Sequence, residues 1–256
     1  MTKIHSTAVI DPQAEIGEDC EIGPYCVIGR HVVLGVGCRL HSHVVVDGHT
    51  RLGRENNLFP FASVGLKTQD LKWKGGVTRT EIGDRNTIRE FVSIHSATGD
   101  GEATIIGSDN TILAGSHIAH NVIMGNKCIV SMAALAGHVI MEDCALVGGM
   151  SAVHQFCRVG TMAITGGVSK IVQDVPPYML VDGNPAVVRA LNKVGLERNG
   201  VSEEAQTALK QAHRILFRDG LTIPNALAKI EAEVPGLPEI QHLVKFIRAS
   251  ERGVTR

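Results

Sequence analysis

Aliphatic side chains recur at every sixth residue in the first part of the chain. Ile4, Ile10, Ile16, Ile22, Ile28, Leu34, Leu40, Val46, Leu52, Leu58 and Val64 stand in strict register. Four residues after each comes a small or compact one, among them Ala8, Ala14, Cys20, Cys26, Cys38, Thr50, Asn56 and Ala62. Glycine often follows the aliphatic directly, as at Gly17, Gly23, Gly29, Gly35 and Gly53. A helix needs a period of 3.6 and a free strand a period of 2, so neither accounts for sixes. A solenoid with one short strand and one tight corner per hexad does. The pattern predicts an all-β solenoid, a parallel β-helix in which three hexads close a triangular coil. Coils should stack about 4.8 Å apart.

The repeat resumes at Ile82, Ile88 and Ile94, then at Ile106, Ile112, Ile118, Met124 and Val130. A third run, Leu135, Met141, Val147, Val153 and Val159, ends in the degraded members Thr165 and Ile171. Residues 70–80 and 99–104 break register and predict loops leaving corners. The first mixes charge with Trp73 and the pair Gly75-Gly76. Between Val130 and Leu135 one hexad is a residue short, which predicts a tightened corner.

Hexads vanish after Pro185. Ser202 reads as a helix cap, with Glu203 and Glu204 in the first turn and Ala205, Leu209, Ala212 and Leu216 on one face. Pro224, Pro235 and Pro238 divide the remainder into one or two further helices. The chain therefore reads as a β-helix over 1–188 and a C-terminal α-helical domain over 189–256, which covers strand edges that would otherwise stay unpaired.

Aromatic residues make up only 4% of the chain, as a narrow prism requires. A net charge of −1 argues against a general nucleic-acid binder. The helical part carries eleven Lys/Arg against eight Asp/Glu, and the solenoid fourteen against eighteen, an asymmetry that allows an acidic partner near the helices. No signal-peptide pattern opens the sequence and no apolar run reaches the length of a membrane span, so a cytoplasmic protein is expected. Cys20, Cys26, Cys38, Cys128 and Cys157 occupy the small position of a hexad, with Cys144 beside one. Reduced, buried filler is their reading, with no CxxC spacing for a metal.

The chemistry lies in the histidines. His95, His117, His120, His138 and His154 concentrate where the register slips. His120 and His138 are eighteen residues apart, about one coil, and are expected on neighbouring coils of one face. A single histidine here would be a polar corner residue; five together suggest a site. Three of them could hold zinc, as in the hexapeptide-repeat carbonic anhydrases, although the His117-x-x-His120 spacing departs from that family. Alternatively one acts as a general base, since imidazole titrates near 6.5 and can take a proton from an attacking hydroxyl.

Across the whole chain the ordered motifs resemble the UDP-N-acetylglucosamine acyltransferases that begin lipid A synthesis. They include His41-Ser42-His43, Gln69-Asp70-Leu71-Lys72, Ile88-Arg89-Glu90, Ser116 to His120, Ala136-Gly137-His138, Val153-His154-Gln155-Phe156-Cys157, Gln173 to Tyr178 and Gly183-Asn184-Pro185. The resemblance implies a left-handed β-helix, a homotrimer with clefts between subunits, and no cofactor or metal. It implies transfer of a 3-hydroxyacyl group from acyl carrier protein to the glucosamine 3-hydroxyl of UDP-N-acetylglucosamine. His120 matches the family's base and the Gly137 N–H its oxyanion donor. Gln69, Asp70, Lys72, His95, His117, His138, His154 and Gln155 match substrate-contacting or cleft positions, and Asn192 and Arg198 nucleotide-binding ones. Gly167 falls where the family sets its acyl-length ruler, and glycine there implies a long chain. Asn121 stands where better-known members carry an aspartate that orients the base, and Asn199 where some carry a second arginine. A relative that acylates a 3-amino sugar is the alternative.

Overall fold

The computed structural model describes residues 1–256 as a three-sided, left-handed parallel β-helix followed by four helices. Two-residue strands repeat once per hexad, each pairing in parallel with the strand one coil away: Ile22 pairs with Leu40, and Ile94 with Ile118. The strands form three faces, of eleven, nine and eight strands. Within each strand the second residue points inward, so Ile28, Leu34, Leu58, Ile88, Ile112, Ile118, Met124 and Leu135 are fully buried. Burial of each such side chain contributes about 1.5–3 kcal/mol.

From Cys20 onward the compact position of the hexad is buried as well. Asn56, Asn86 and Asn110 are enclosed there without losing hydrogen bonds. Asn86 Nδ2 donates to Asn56 Oδ1 and to the Gly107 carbonyl, each at 3.0 Å, and Asn110 Nδ2 donates to the Gly125 carbonyl. All six cysteines are unpaired, five of them buried.

Both register breaks lie earlier in the chain than the periodicity implies. Arg79–Ile82 is already a strand, paired with His49–Leu52, so the first loop runs over 67–78. Ala103–Ile106 likewise pairs with Arg79–Ile82, and the second loop occupies 96–102. Residues just before each resumed aliphatic, Arg79 and Thr80 in one case and Ala103 and Thr104 in the other, join the sheet because the neighbouring coil offers them a ladder.

The solenoid ends in an antiparallel hairpin, Met179–Gly183 with Ala186–Leu191. Helix α1 (Lys193–Arg198) follows, then α2 (Glu203–Phe217), α3 (Ile223–Glu233) and α4 (Pro238–Arg248). Ser202 caps α2 by accepting the Ala205 N–H at 3.1 Å, and Ala205, Leu209, Ala212 and Leu216 are buried. The short α1 has no sequence signal beyond the Asn192 side chain that caps it. Helix α4 is fastened to the last coils: Arg158 donates to the Phe246 carbonyl at 2.7 Å, and His242 lies 2.8 Å from Glu142. No helix is long and apolar enough to cross a membrane.

Candidate active site

A groove on the nine-stranded face arises from missing side chains. Outward positions there hold His117 on one coil, then Ala134, Ala152 and Lys170 on the coils above. At the adjoining corner Ala119, Ala136 and Gly137 are equally small. The result is a cavity of about 610 Å³, bounded by His117, His120, His154, Gln155 and Lys170, with Gln69, Asp70 and Lys72 of the 67–78 loop on its rim. The groove thus brings residues of three separate segments to His120 and Gly137. The alanines that open it signal themselves in the sequence only by smallness at outward positions, and Lys170 and Val172 on its wall carry no signal at all.

His120 is the residue on which the groove converges. Its Nδ1 lies 3.0 Å from Asn121 Oδ1. That amide oxygen also accepts the Thr98 N–H at 3.0 Å, so the asparagine presents oxygen, not nitrogen, to the ring. Nδ1 therefore carries the proton, and Nε2 faces the groove with its lone pair. Asn121 itself is thus the acceptor that orients His120. On the groove side Asp70 Oδ2 is 3.7 Å from Nε2. Asp70 is held by the Lys72 N–H, which donates to its Oδ1 at 3.0 Å; this bond first, then His120 when protonated and the Lys72 charge, keeps its carboxyl below the usual range.

Gly137 packs directly on the imidazole: a Cβ added there would collide with Cε1 and Nε2 of His120. The Gly137 N–H donates to no other group of the chain.

His138 does not share the His120 position. The short hexad makes this coil seventeen residues, Ile118 pairing with Leu135, so Gly137 stacks on His120 and His138 on Asn121. Both Asn121 (φ +59°) and His138 (φ +60°) occupy the left-handed corner, and His138 stacks on Phe156 with ring centroids 4.7 Å apart. It borders the adjoining cavity with Phe156 and Arg158, its ring edge-on to His120 at 5.3 Å. His95 lies buried beside His117, the rings 5.3 Å apart, and does not line the groove. Ser93 Oγ is 2.8 Å from His117 Nδ1. Burial first, and then the repulsion of a protonated His120, push His117 and His138 below the usual imidazole range; burial, and the same repulsion from His117 and His120, do so for His95.

Three further expected residues lie apart from the groove in this chain. Asn192 caps α1, accepting from the Gly195 N–H and donating to the Met162 carbonyl at 2.8 Å. Arg198 ends α1 in solvent. Gly167 sits exposed on the corner before the Lys170 strand. Nowhere do three histidines, cysteines or carboxylates come together as metal ligands.

Comparison with known proteins agrees with this architecture from both ends. Residues 1–36 match the bacterial transferase hexapeptide family, six repeats, and residues 174–255 match domain 2 of the Udp N-acetylglucosamine O-acyltransferase family. Among solved structures, LpxA from Acinetobacter baumannii is 46% identical, with 99% of each chain covered and a TM-score of 0.94. LpxA of Bacteroides fragilis, a UDP-N-acetylglucosamine acyltransferase, is 41% identical, with 99% of this chain and 100% of that one covered and a TM-score of 0.96. The UDP-N-acetylglucosamine O-acyltransferase of Moraxella catarrhalis is 40% identical, with 99% of each covered and a TM-score of 0.93.

Proposed function

Because this chain belongs to the UDP-N-acetylglucosamine O-acyltransferase family, we propose that its groove makes an ester of the sugar in the first step of lipid A biosynthesis. The donor is a (R)-3-hydroxyacyl thioester on acyl carrier protein, and the acceptor is the glucosamine 3-hydroxyl of UDP-N-acetylglucosamine. The observation that carries this reading is a histidine with its Nε2 lone pair turned into a groove beside an unused backbone N–H.

His120 Nε2 takes the proton of the 3-hydroxyl as its oxygen attacks the thioester carbonyl. The new C–O bond forms, and the oxyanion develops where the Gly137 N–H can donate to it. Collapse breaks the C–S bond, and the imidazolium returns its proton to the leaving thiolate. Asp70 stands next to Nε2, where its negative charge favours the imidazolium. Gln69, Lys72, His117, His154 and Gln155 supply polar contacts around the sugar and the diphosphate side of the groove. No cofactor enters these steps.

A homotrimer completes the site in this reading. Tyr25, His43, Phe61 and Phe91 form an exposed ring column on one corner, with Phe61 and Phe91 stacked at 5.1 Å, and Val9 and Val27 flank it on the nine-stranded face. An apolar strip of this kind favours association of flat prism faces. Asn192 and Arg198, remote from their own groove, would then bind nucleotide at a neighbouring copy's groove. Arg suits a phosphate by charge and paired donors. Cytoplasmic residence fits the six unpaired thiols.

The test is a mass-spectrometric transfer assay with UDP-N-acetylglucosamine and a panel of 3-hydroxyacyl carrier proteins. An O-acyl product supports the reading. Product only with the 3-amino analogue of the sugar would replace ester with amide formation, and no product with either acceptor would sink it.

His95, His117 and His138 are held below the ordinary imidazole range by burial, so each takes up a proton only at a lower pH than an unperturbed imidazole would. The acidic limb of log kcat/KM should therefore have unit slope, one proton on one base, and a slope near two would show a second histidine titrating. Gly167→Met tests the acyl ruler. A Cβ there meets only the Gly149 carbonyl oxygen, at 3.3 Å, so the backbone accepts it with a small adjustment. Donor preference should move to shorter chains; an unmoved profile would place the ruler elsewhere.

A further inference from the structure

The amide that orients His120 is itself clamped by a carboxylate from another corner. Asn121 Nδ2 donates to Glu102 Oε2 at 2.6 Å. The same oxygen accepts the Gly99 N–H at 3.0 Å. On its other side Asn121 Oδ1 takes the Thr98 N–H and faces His120 Nδ1, both at 3.0 Å. A carboxylate only accepts and a backbone N–H only donates, so these two partners forbid the flipped amide. The asparagine backbone is pinned too, its N–H donating to Thr104 Oγ1 at 2.9 Å. All three partners come from the 96–102 loop and the strand that follows it.

We propose that Glu102 is a positioning residue for His120: acting through Asn121, it locks the Nδ1–H tautomer and lends the negative charge that an amide lacks when the ring becomes cationic. The inference rests on His120 being the general base. It gives the loop at 96–102 a task, since that break in the hexads is what delivers both Thr98 and Glu102 to Asn121. Because the amide stands between charge and ring, Glu102 polarises Asn121 rather than touching the imidazole. Glu102 is also exposed, so solvent screens it and effects of several-fold are expected rather than orders of magnitude. The other ionisable groups around the ring are Asp70 and Lys72 of the 67–78 loop, and His95, His117 and His138 of the neighbouring coils.

The test is an exchange of charge between the two positions, read as kcat, KM and the pH profile of acyl transfer, with thermal melts as the check on folding. Glu102→Gln keeps an oxygen for Asn121 and Gly99 and removes only the charge. Its kcat should fall roughly 3- to 10-fold at unchanged KM, with the acidic limb moved to lower pH. Asn121→Asp sets two carboxylates where a hydrogen bond stood, and its kcat should fall by roughly 10-fold. The double variant Glu102→Gln/Asn121→Asp restores one charge and one hydrogen bond with reversed polarity, the introduced amide now donating to the introduced carboxylate. Its kcat should recover to within about 3-fold of wild type, and its acidic limb should return. A Glu102→Gln protein with wild-type kcat and pH limb would overturn the proposal, as would a double variant no better than Asn121→Asp. His120→Ala serves as the separate arm: if it still turns over, the general-base reading fails, whatever the carboxylate variants do.

Discussion

His120→Ala should lower kcat/KM by about 10²–10⁴-fold, the range that a positioned general base contributes. In the proposed mechanism the imidazole takes its proton only as the hydroxyl attacks, so the loss should fall on kcat, while Gln69, Lys72, His154 and Gln155 remain in place around the groove. Stability should hardly change. The side chain lies on the groove wall outside the prism, where Ile118 and Val122 form the core. The measurement is steady-state transfer by mass spectrometry beside a melting curve. Residual activity within a few-fold of wild type at an unchanged melting temperature would move the base elsewhere, with His154 the next imidazole on that wall.

The second large effect is expected from Gly137→Ala. One methyl group at this position occupies the space of Cε1 and Nε2 of His120, so the ring must swing away. Swinging breaks its geometry to Asn121 and Asp70 together, and displacement of a reacting group by about 1 Å can cost about 10²-fold. The methyl also crowds the Gly137 N–H, the donor of the proposed mechanism. A loss of about 10²-fold or more in kcat is therefore expected, with the fold intact because the colliding atoms belong to a side chain that can move. Retained kcat would show that the imidazole works from another position.

Much of the molecule is legible because the hexad repeat is a one-dimensional code for which side chains point inward. Ile28, Leu58 and Leu135 follow it into the core. The cap Ser202 and the buried stripe of α2 are equally plain from local chemistry. The groove is only half legible, since a cleft is built from what neighbouring coils omit. Ala134 and Ala152 look like filler until the stacking is known. His138 shows the same limit: counted along the chain it stands over His120, yet the short hexad moves it over Asn121. Glu102 gives no signal, because its partner comes from a different coil, across a loop that interrupts the period. The hairpin of Met179–Gly183 and Ala186–Leu191 and the short α1 are hidden by the decay of the hexads, which leaves no periodic pattern to read.

Three residues, 131–133, turn a corner for which the coil below uses four, 113–116, yet the strands on either side pair in step. The missing residue is absorbed where it occurs and is not passed along the prism. Each coil is in effect an independently indexed shelf, and a functional group is specified by its shelf and corner rather than by its distance along the chain. A chain built this way can gain or lose residues between shelves while the catalytic address stays fixed. Length variation among such proteins should then collect at corners, as the loops at 67–78 and 96–102 and the short corner 131–133 do in this chain.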